Sequence, residues 1–65
     1  MEDLNGLQTL ALQDNIDAQY ELGMCYYEGK GVQRNYEMAA KWLSMAAAQN
    51  HADAQYFLAW LYSMG

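Results

Sequence analysis

Apolar residues recur along the chain at the spacing of one helical face. The chain contains no proline and few β-branched residues, which favours helix throughout. The pattern i, i+4, i+7, i+8 occurs twice and predicts two amphipathic helices. Its members are Ala18, Leu22, Cys25 and Tyr26 in the first stretch, and Ala39, Leu43, Ala46 and Ala47 in the second.

Glycine and asparagine residues mark the predicted helix ends. Gly29-Lys30-Gly31 follows the first face, and glycine is the usual residue past a helix C-terminus. Asn35 stands at an N-cap position, and Asn50-His51 separates the next two helices. Asp53 then falls in a first turn, where a negative charge suits the helix dipole. We predict four helices, at about 3–13, 16–28, 36–49 and 52–64.

The chain repeats itself at an offset of 36 residues. The tetrapeptide Asp-Ala-Gln-Tyr occurs at residues 17–20 and again at 53–56. Six further pairs are identical: Leu7 and Leu43, Ala11 and Ala47, Gln13 and Gln49, Leu22 and Leu58, Tyr26 and Tyr62, and Gly29 and Gly65. Offsets of this size are typical of solenoids, in which each repeat is one supersecondary unit. If A and B denote the first and second helices of a unit, the four predicted helices are B, A, B and A.

The segment from Ala18 to Asn50 resembles a Sel-one-like repeat, a relative of the tetratricopeptide repeat. The matching positions are Ala18, Leu22-Gly23, Tyr26, Gly29-x-Gly31-Val32, Asn35, Ala39, Trp42 and Ala46-Ala47. Asn35 and Asn50 stand where the family usually has aspartate and glycine, and asparagine can both cap a helix and adopt the left-handed conformation. Ala59 replaces the glycine of the second Leu-Gly pair. The resemblance implies an all-α fold: an α-solenoid of antiparallel helix pairs, with residues 1–65 forming a single fragment of about two repeats.

Most of these motif positions are predicted to be framework. Small side chains such as Ala18, Gly23 and Ala39 let antiparallel helices approach closely, while larger ones such as Trp42 fill the gaps. Gly29 and Gly31 are expected to supply backbone angles that other residues resist.

Charge and composition exclude several classes of partner. The net charge is −5, from eight acidic residues against Lys30, Arg34 and Lys41. Binding to nucleic acid or to an anionic membrane surface depends on clustered lysine and arginine, so neither is expected. The sequence also has no run of about 18 apolar residues and no signal-peptide pattern. We predict a soluble chain, and its single cysteine favours a reducing compartment such as the cytoplasm.

The repeat itself tests the residues that could carry chemistry. Cys25 aligns with Leu61, which indicates an apolar filler position, and His51 aligns with Asn15, which indicates a polar helix start. One cysteine and one histidine do not make a metal site. Cysteine-rich secreted relatives of the family have been linked to β-lactam binding or hydrolysis, but they carry paired cysteines. We therefore predict no enzyme, no catalytic residue, no metal and no cofactor.

The resemblance implies a module that binds a peptide or partner protein on its concave surface, which the A helices line. Aromatic residues and methionine are enriched in binding surfaces. The candidate residues on the outward side of the two A helices are Tyr20, Met24, Tyr27, Tyr56 and Trp60. The alternative is a purely structural spacer within a longer repeat array.

The last predicted helix lacks a B helix to cover it. The residues expected to be exposed at this end are Phe57, Leu58, Leu61 and Tyr62. Because solenoids usually need three or more repeats, we expect the chain to be a piece of a longer array or to pair with a second copy through this end.

Overall fold

Four α-helices make up the computed structural model, which describes residues 4–64 and the side chains of residues 6–63. The helices are α1 (Leu4–Leu12), α2 (Ile16–Glu28), α3 (Tyr36–Ala48) and α4 (Ala52–Met64). No strand occurs in residues 4–64. The all-helical prediction is confirmed. The bounds of α2 and α4 agree with those predicted, and α1 and α3 each end one residue early. The predicted start of α1 at residue 3 lies outside the described residues.

A side-chain cap begins each of the last three helices. Each cap accepts a hydrogen bond from the backbone N–H three residues further on: Asn15 from Ala18 (3.0 Å), Asn35 from Met38 (3.1 Å), and His51 Nδ1 from Ala54 (3.1 Å). These bonds satisfy backbone donors that have no partner within the helix. Asn15 and His51 are 36 residues apart, so the repeat uses an amide in one copy and an imidazole in the next. The prediction that Asn35 and His51 begin helices is confirmed.

A residue in the left-handed conformation ends each of the first three helices. These residues are Asp14 (φ 65°), Gly29 (φ 74°) and Asn50 (φ 70°). The next residue in each case donates its backbone N–H back to the last turn, as His51 does to the oxygen of Ala46 at 3.2 Å. This pattern is the Schellman arrangement, which satisfies the last carbonyl groups of a helix. Asparagine at position 50 therefore does what glycine does at position 29.

Consecutive helices pack against each other, and α3 lies between α2 and α4. One core cluster joins α1, α2 and α3 through Ala11, Ala18, Leu22 and Trp42. The other joins α3 and α4 through Ala39, Leu43, Ala46, Ala54 and Leu61. The α2–α3 contact is especially close, because a Cβ atom added to Gly23 would lie 2.8 Å from Leu43 Cγ. The small framework residues thus set the distance between helices, as predicted.

Positions that α3 covers on α2 are less covered at the equivalent places on α4. Leu22 is fully buried and Leu58 half-buried, while Gly23 is buried and Ala59 exposed. The third equivalent pair differs in the same way, since Tyr26 is half-buried and Tyr62 is 68% exposed. No helix within residues 4–64 covers this side of α4. We call it the open face of α4, formed by Gln55, Leu58, Ala59 and Tyr62.

Two of the four residues predicted at the exposed end lie elsewhere. Leu61 is only 8% exposed and belongs to the α3–α4 core, so the prediction for it was wrong. Its position seven residues after buried Ala54 places it on the inward side of the helix. Phe57 is half-buried and packs against the same core. Tyr62 does lie on the open face, and half-buried Leu58 lies at its edge, where it also packs against the α3–α4 core.

Candidate functional site

The candidate binding residues lie on the two A helices, α2 and α4. Tyr20, Met24 and Tyr27 follow the i, i+4, i+7 pattern along α2, and all three are half-buried against the core. On α4, Tyr56 is 73% exposed and Trp60 is 42% exposed. We refer to these five side chains together as the A-helix surface.

Ring contacts join α2 to α4 across this surface. The Tyr27 ring is the centre of the group, with its centroid 5.2 Å from that of Phe57 and 5.9 Å from that of Trp60, both in edge-on arrangements. Phe57 and Trp60 also meet edge-on at 5.8 Å. Tyr36, at the start of α3, adds a tilted contact with Tyr27 at 5.6 Å. We call these four residues the aromatic cluster. Such edge-on pairs stabilise a fixed arrangement of the rings.

Two members of the aromatic cluster were not among the predicted binding residues. Tyr36 begins a B helix, so a pattern based on the outward side of the A helices does not include it. Phe57 was placed at the exposed end of α4, but it lies between Tyr27 and Trp60. The aromatic residue type was the available signal in both cases.

The other end of the A-helix surface is organised by a stacked pair. The rings of Tyr20 and His51 are nearly parallel, with centroids 4.5 Å apart. His51 Nδ1 accepts the cap hydrogen bond, so the proton of the neutral ring is on Nε2, which lies 3.6 Å from Asp17 Oδ1. Burial raises the pKa of the Tyr20 hydroxyl above its usual 10.0, and the nearby carboxylates of Asp53 and Glu28 raise it further.

The two A helices carry negative charge only. Their acidic residues are Asp17, Glu21 and Glu28 in α2 and Asp53 in α4, and neither helix contains lysine or arginine. Asp17 lies beside His51, and within the described residues none of the four carboxylates pairs with a lysine or arginine. A cleft of about 330 Å³ runs along α2, lined by Tyr20, Glu21, Met24, Cys25, Glu28 and Lys30. We call it the α2 cleft. Two carboxylates, a thioether, a thiol, a phenol ring and one ammonium group therefore line the α2 cleft.

A buried glutamine, not predicted from the sequence, lies in the core of the described residues. Gln19 is fully buried, and its Nε2 donates to the backbone oxygen of Ala11 at 3.0 Å. Gln49 Nε2 donates to Gln19 Oε1 at 2.9 Å. One repeat later, Gln55 Nε2 donates to the oxygen of Ala47 at 3.0 Å. Both glutamines belong to the repeated Asp-Ala-Gln-Tyr tetrapeptide, which was the sequence signal for this repeated hydrogen bond.

Cys25, predicted to be an apolar filler residue, is half-buried. No group of three or more histidine, cysteine, aspartate or glutamate side chains in the described part of the chain could hold a metal ion. Within the same residues, no helix is both long enough and apolar enough to span a membrane.

Comparison with known proteins identifies the repeat. The Sel1 repeat family matches the chain over residues 16–51 and 52–65. The chain is 39% identical over 56 residues to Protein sel-1 homolog 2 of Mus musculus and, equally, of Rattus norvegicus, which covers 85% of this chain and 8% of each relative. It therefore spans under a tenth of the length of these curated relatives. No solved structure gives a significant match. With both matched segments falling on the helical repeat described above, the chain belongs to the Sel1 repeat family, whose repeats are generally non-catalytic modules of protein interaction.

Proposed function

We propose that this chain is a protein-interaction module that binds a peptide or partner protein on its A-helix surface. The observation that carries the proposal is the contact between Tyr27 on α2 and Trp60 on α4. It joins the two repeats into one surface, while almost half of Trp60 stays exposed. Tryptophan and tyrosine are the residues that most often dominate the binding energy of protein interfaces.

Preorganisation supports the same surface. Phe57 holds Trp60 from one side and Tyr27 from another, so the indole ring is already fixed before a ligand arrives. Ordering a side chain at an interface costs about 0.5–1.5 kcal/mol, and a ring that is already held avoids most of that loss. Tyr56 adds an exposed ring one helical turn before Trp60.

Ligand selection tests the proposal. Peptides are selected from a random phage-displayed library on the whole chain, and their affinities are measured by fluorescence anisotropy. We expect Trp60→Ala to weaken binding about tenfold or more, and Tyr56→Ala to weaken it less. Tyr62→Ala is the matched control, since Tyr62 is also exposed but lies on the open face of α4. Circular dichroism establishes that each variant keeps its helices, and Tyr56→Ala tests the surface without disturbing the aromatic cluster.

Two results would contradict this proposal. If Tyr62→Ala abolishes binding and Trp60→Ala does not, the open face is the binding surface. If the chain selects no peptide at all, the alternative of a structural spacer within a longer array accounts for it better.

The open face of α4 supports a second candidate function, self-association. Gln55 makes the same bond to α3 that buried Gln19 makes to α1, yet Gln55 is exposed, and Tyr62 beside it is 68% exposed. A second copy packed on this face would bury both side chains. Sedimentation velocity over a concentration series tests this, with Tyr62→Glu expected to abolish any dimer. A monomer at every concentration overturns it.

A further inference from the structure

We propose that the partner of the A-helix surface is a basic segment of a protein or peptide. Its arginine or lysine side chains enter the α2 cleft, and its apolar side chains pack on the aromatic cluster. This inference rests on the proposed function and specifies the chemistry of its ligand. The residues that carry it are Glu21, Met24, Glu28 and Trp60.

Charge distribution gives the first argument. The A helices present four carboxylates and no cation, and within the described residues Glu21, Glu28 and Asp53 take part in no ion pair. Such a surface attracts cationic segments and speeds their encounter, and it repels acidic ones. The net charge of −5 for the whole chain acts in the same direction.

The shape of the α2 cleft gives the second argument. Its volume of about 330 Å³ exceeds that of one long side chain, and Met24 and Tyr20 provide apolar contact along it. Lysine and arginine pack their methylene groups on apolar surface while their charged ends stay near water. Glu21 and Glu28 also line the cleft and stand seven residues apart on α2, which places them about 10 Å apart along the helix axis. This separation suits two basic residues spaced about three apart in an extended segment.

Contacts between cations and rings elsewhere in the protein give the third argument. The Arg34 guanidinium carbon lies 5.9 Å from the centroid of the Tyr36 ring, within the aromatic cluster. Lys41 Nζ lies at the same distance from the ring of Trp42. Tryptophan is the best ring for such contacts, and part of Trp60 is exposed. An arginine of the partner can therefore contact the exposed part of the Trp60 ring.

Lys30 makes the inference testable in both directions. It lines the α2 cleft beside Glu28, so its ammonium group opposes the entry of a second cation. Removing this charge with Lys30→Gln should strengthen the binding of a basic segment, whereas removing the carboxylates should weaken it. A ligand recognised only by its apolar side chains would be insensitive to either change.

The experiment uses peptides selected on the whole chain from the random library. We expect arginine and lysine to be enriched in the selected sequences, and affinity to fall as salt is raised. Glu21→Gln/Glu28→Gln should weaken binding about threefold to tenfold, and Lys30→Gln should strengthen it about twofold. The double variant Asp14→Asn/Glu37→Gln removes the same charge from outside the cleft and should change affinity much less. Synthetic copies of the selected peptides in which every arginine and lysine is replaced by glutamine should not bind the chain.

Three outcomes would overturn the inference. Selected peptides with no excess of basic residues, which still require Trp60, overturn the basic partner and leave the proposed function standing. Equal weakening by the two double variants overturns the α2 cleft as the place where the charge is recognised. A library that yields no ligand overturns the inference together with the proposed function.

Discussion

Gln49 on the loop after α3 donates its side-chain N–H to the side-chain oxygen of Gln19 on α2, over 2.9 Å and across 30 residues of sequence. The Gln19 side-chain amide in turn donates a hydrogen bond to the backbone oxygen of Ala11 in α1. Three consecutive helices are thus tied together by two amides. A buried amide costs free energy unless its hydrogen bonds are made, so this connection favours one way of stacking the helices over others.

Replacing Gln19 should therefore destabilise the stack. Gln19→Ala removes two hydrogen bonds, those to the Ala11 carbonyl and from the Gln49 amide, although these groups keep their bonds to the Asp14 N–H and the Met45 oxygen. At about 0.5–1.5 kcal/mol for each lost bond, we expect the free energy of unfolding to fall by about 1–3 kcal/mol. Gln55→Ala is the matched control, because Gln55 makes the equivalent bond to Ala47 at an exposed site. It should cost under about 1 kcal/mol. Urea unfolding followed by circular dichroism measures both, and equal losses would contradict a special role for the buried amide.

The close approach of α2 and α3 should not tolerate a methyl group at position 23. A Cβ atom there would lie 2.8 Å from Leu43 Cγ and 3.2 Å from the Ala39 oxygen. We expect Gly23→Ala to destabilise the chain by about 1–3 kcal/mol, because the helices must move apart. Thermal unfolding measures the loss.

The equivalent position of the next repeat supplies the control for this prediction. Ala59 is exposed, so Ala59→Gly should cost only the difference in helix propensity, about 0.5–1 kcal/mol. A Gly23→Ala variant as stable as the parent would show that the α2–α3 spacing is set by other residues.

The cap on α4 can be separated from the ring that provides it. His51→Asn removes the imidazole but keeps a cap of the kind that Asn15 gives α2, whereas His51→Ala removes both. We expect the alanine variant to be less stable than the asparagine variant by about 1 kcal/mol. Both variants lose the stack on Tyr20, so their difference reports the cap alone. Equal stabilities in urea unfolding would mean that the hydrogen bond to Ala54 contributes nothing.

Stability should fall in alkaline solution partly through Tyr20. Its pKa is raised in the folded chain, first by burial and then by Asp53 and Glu28. The folded state therefore holds the phenol proton more tightly than the unfolded state. The contribution of Tyr20 to the free energy of unfolding is fully present below about pH 10 and is lost as the pH rises further. Thermal midpoints between about pH 9 and pH 11 should decline less steeply in Tyr20→Phe than in the parent. Asp53→Asn should give an intermediate slope. If the thermal midpoints of the parent and both variants decline in parallel, the loss of stability does not come from Tyr20.

Local signals were enough to predict the helices. Apolar spacing predicted α2 and α3, and Asn35, Gly29 and Asn50 marked boundaries because caps and left-handed residues act on neighbouring backbone groups. Ring contacts such as that between Tyr27 and Phe57 were harder to predict, because they join helices that are distant in sequence.

The error at Leu61 has a physical cause that the repeat already contained. Leu61 was assigned to the uncovered side of α4 together with Leu58 and Tyr62, although it lies on a different face of the helix. The 36-residue offset separates these faces, since Leu58 and Tyr62 correspond to Leu22 and Tyr26, which α3 helps to cover. Leu61 corresponds to Cys25 and does not belong to that set. Gln19 was missed for a different reason, because its burial depends on Gln49 and on the carbonyl of Ala11, which meet only in the stacked structure.

The most direct test of the proposed binding surface uses the two tryptophans of the chain. Trp60 lies on the A-helix surface with 42% of its area exposed, and Trp42 is in the core with 6% exposed, so each reports on a different part of the same molecule. A selected peptide is titrated into ¹⁵N-labelled chain, and the two indole N–H signals are followed by NMR. We expect the Trp60 signal to shift as the peptide saturates the chain, together with the amide signals of Tyr27 and Tyr56, while the Trp42 signal stays in place. A peptide that saturates the chain but leaves the Trp60 signal unchanged, and shifts the amide signals of Gln55 and Tyr62, would place the binding site on the open face and contradict binding at the A-helix surface.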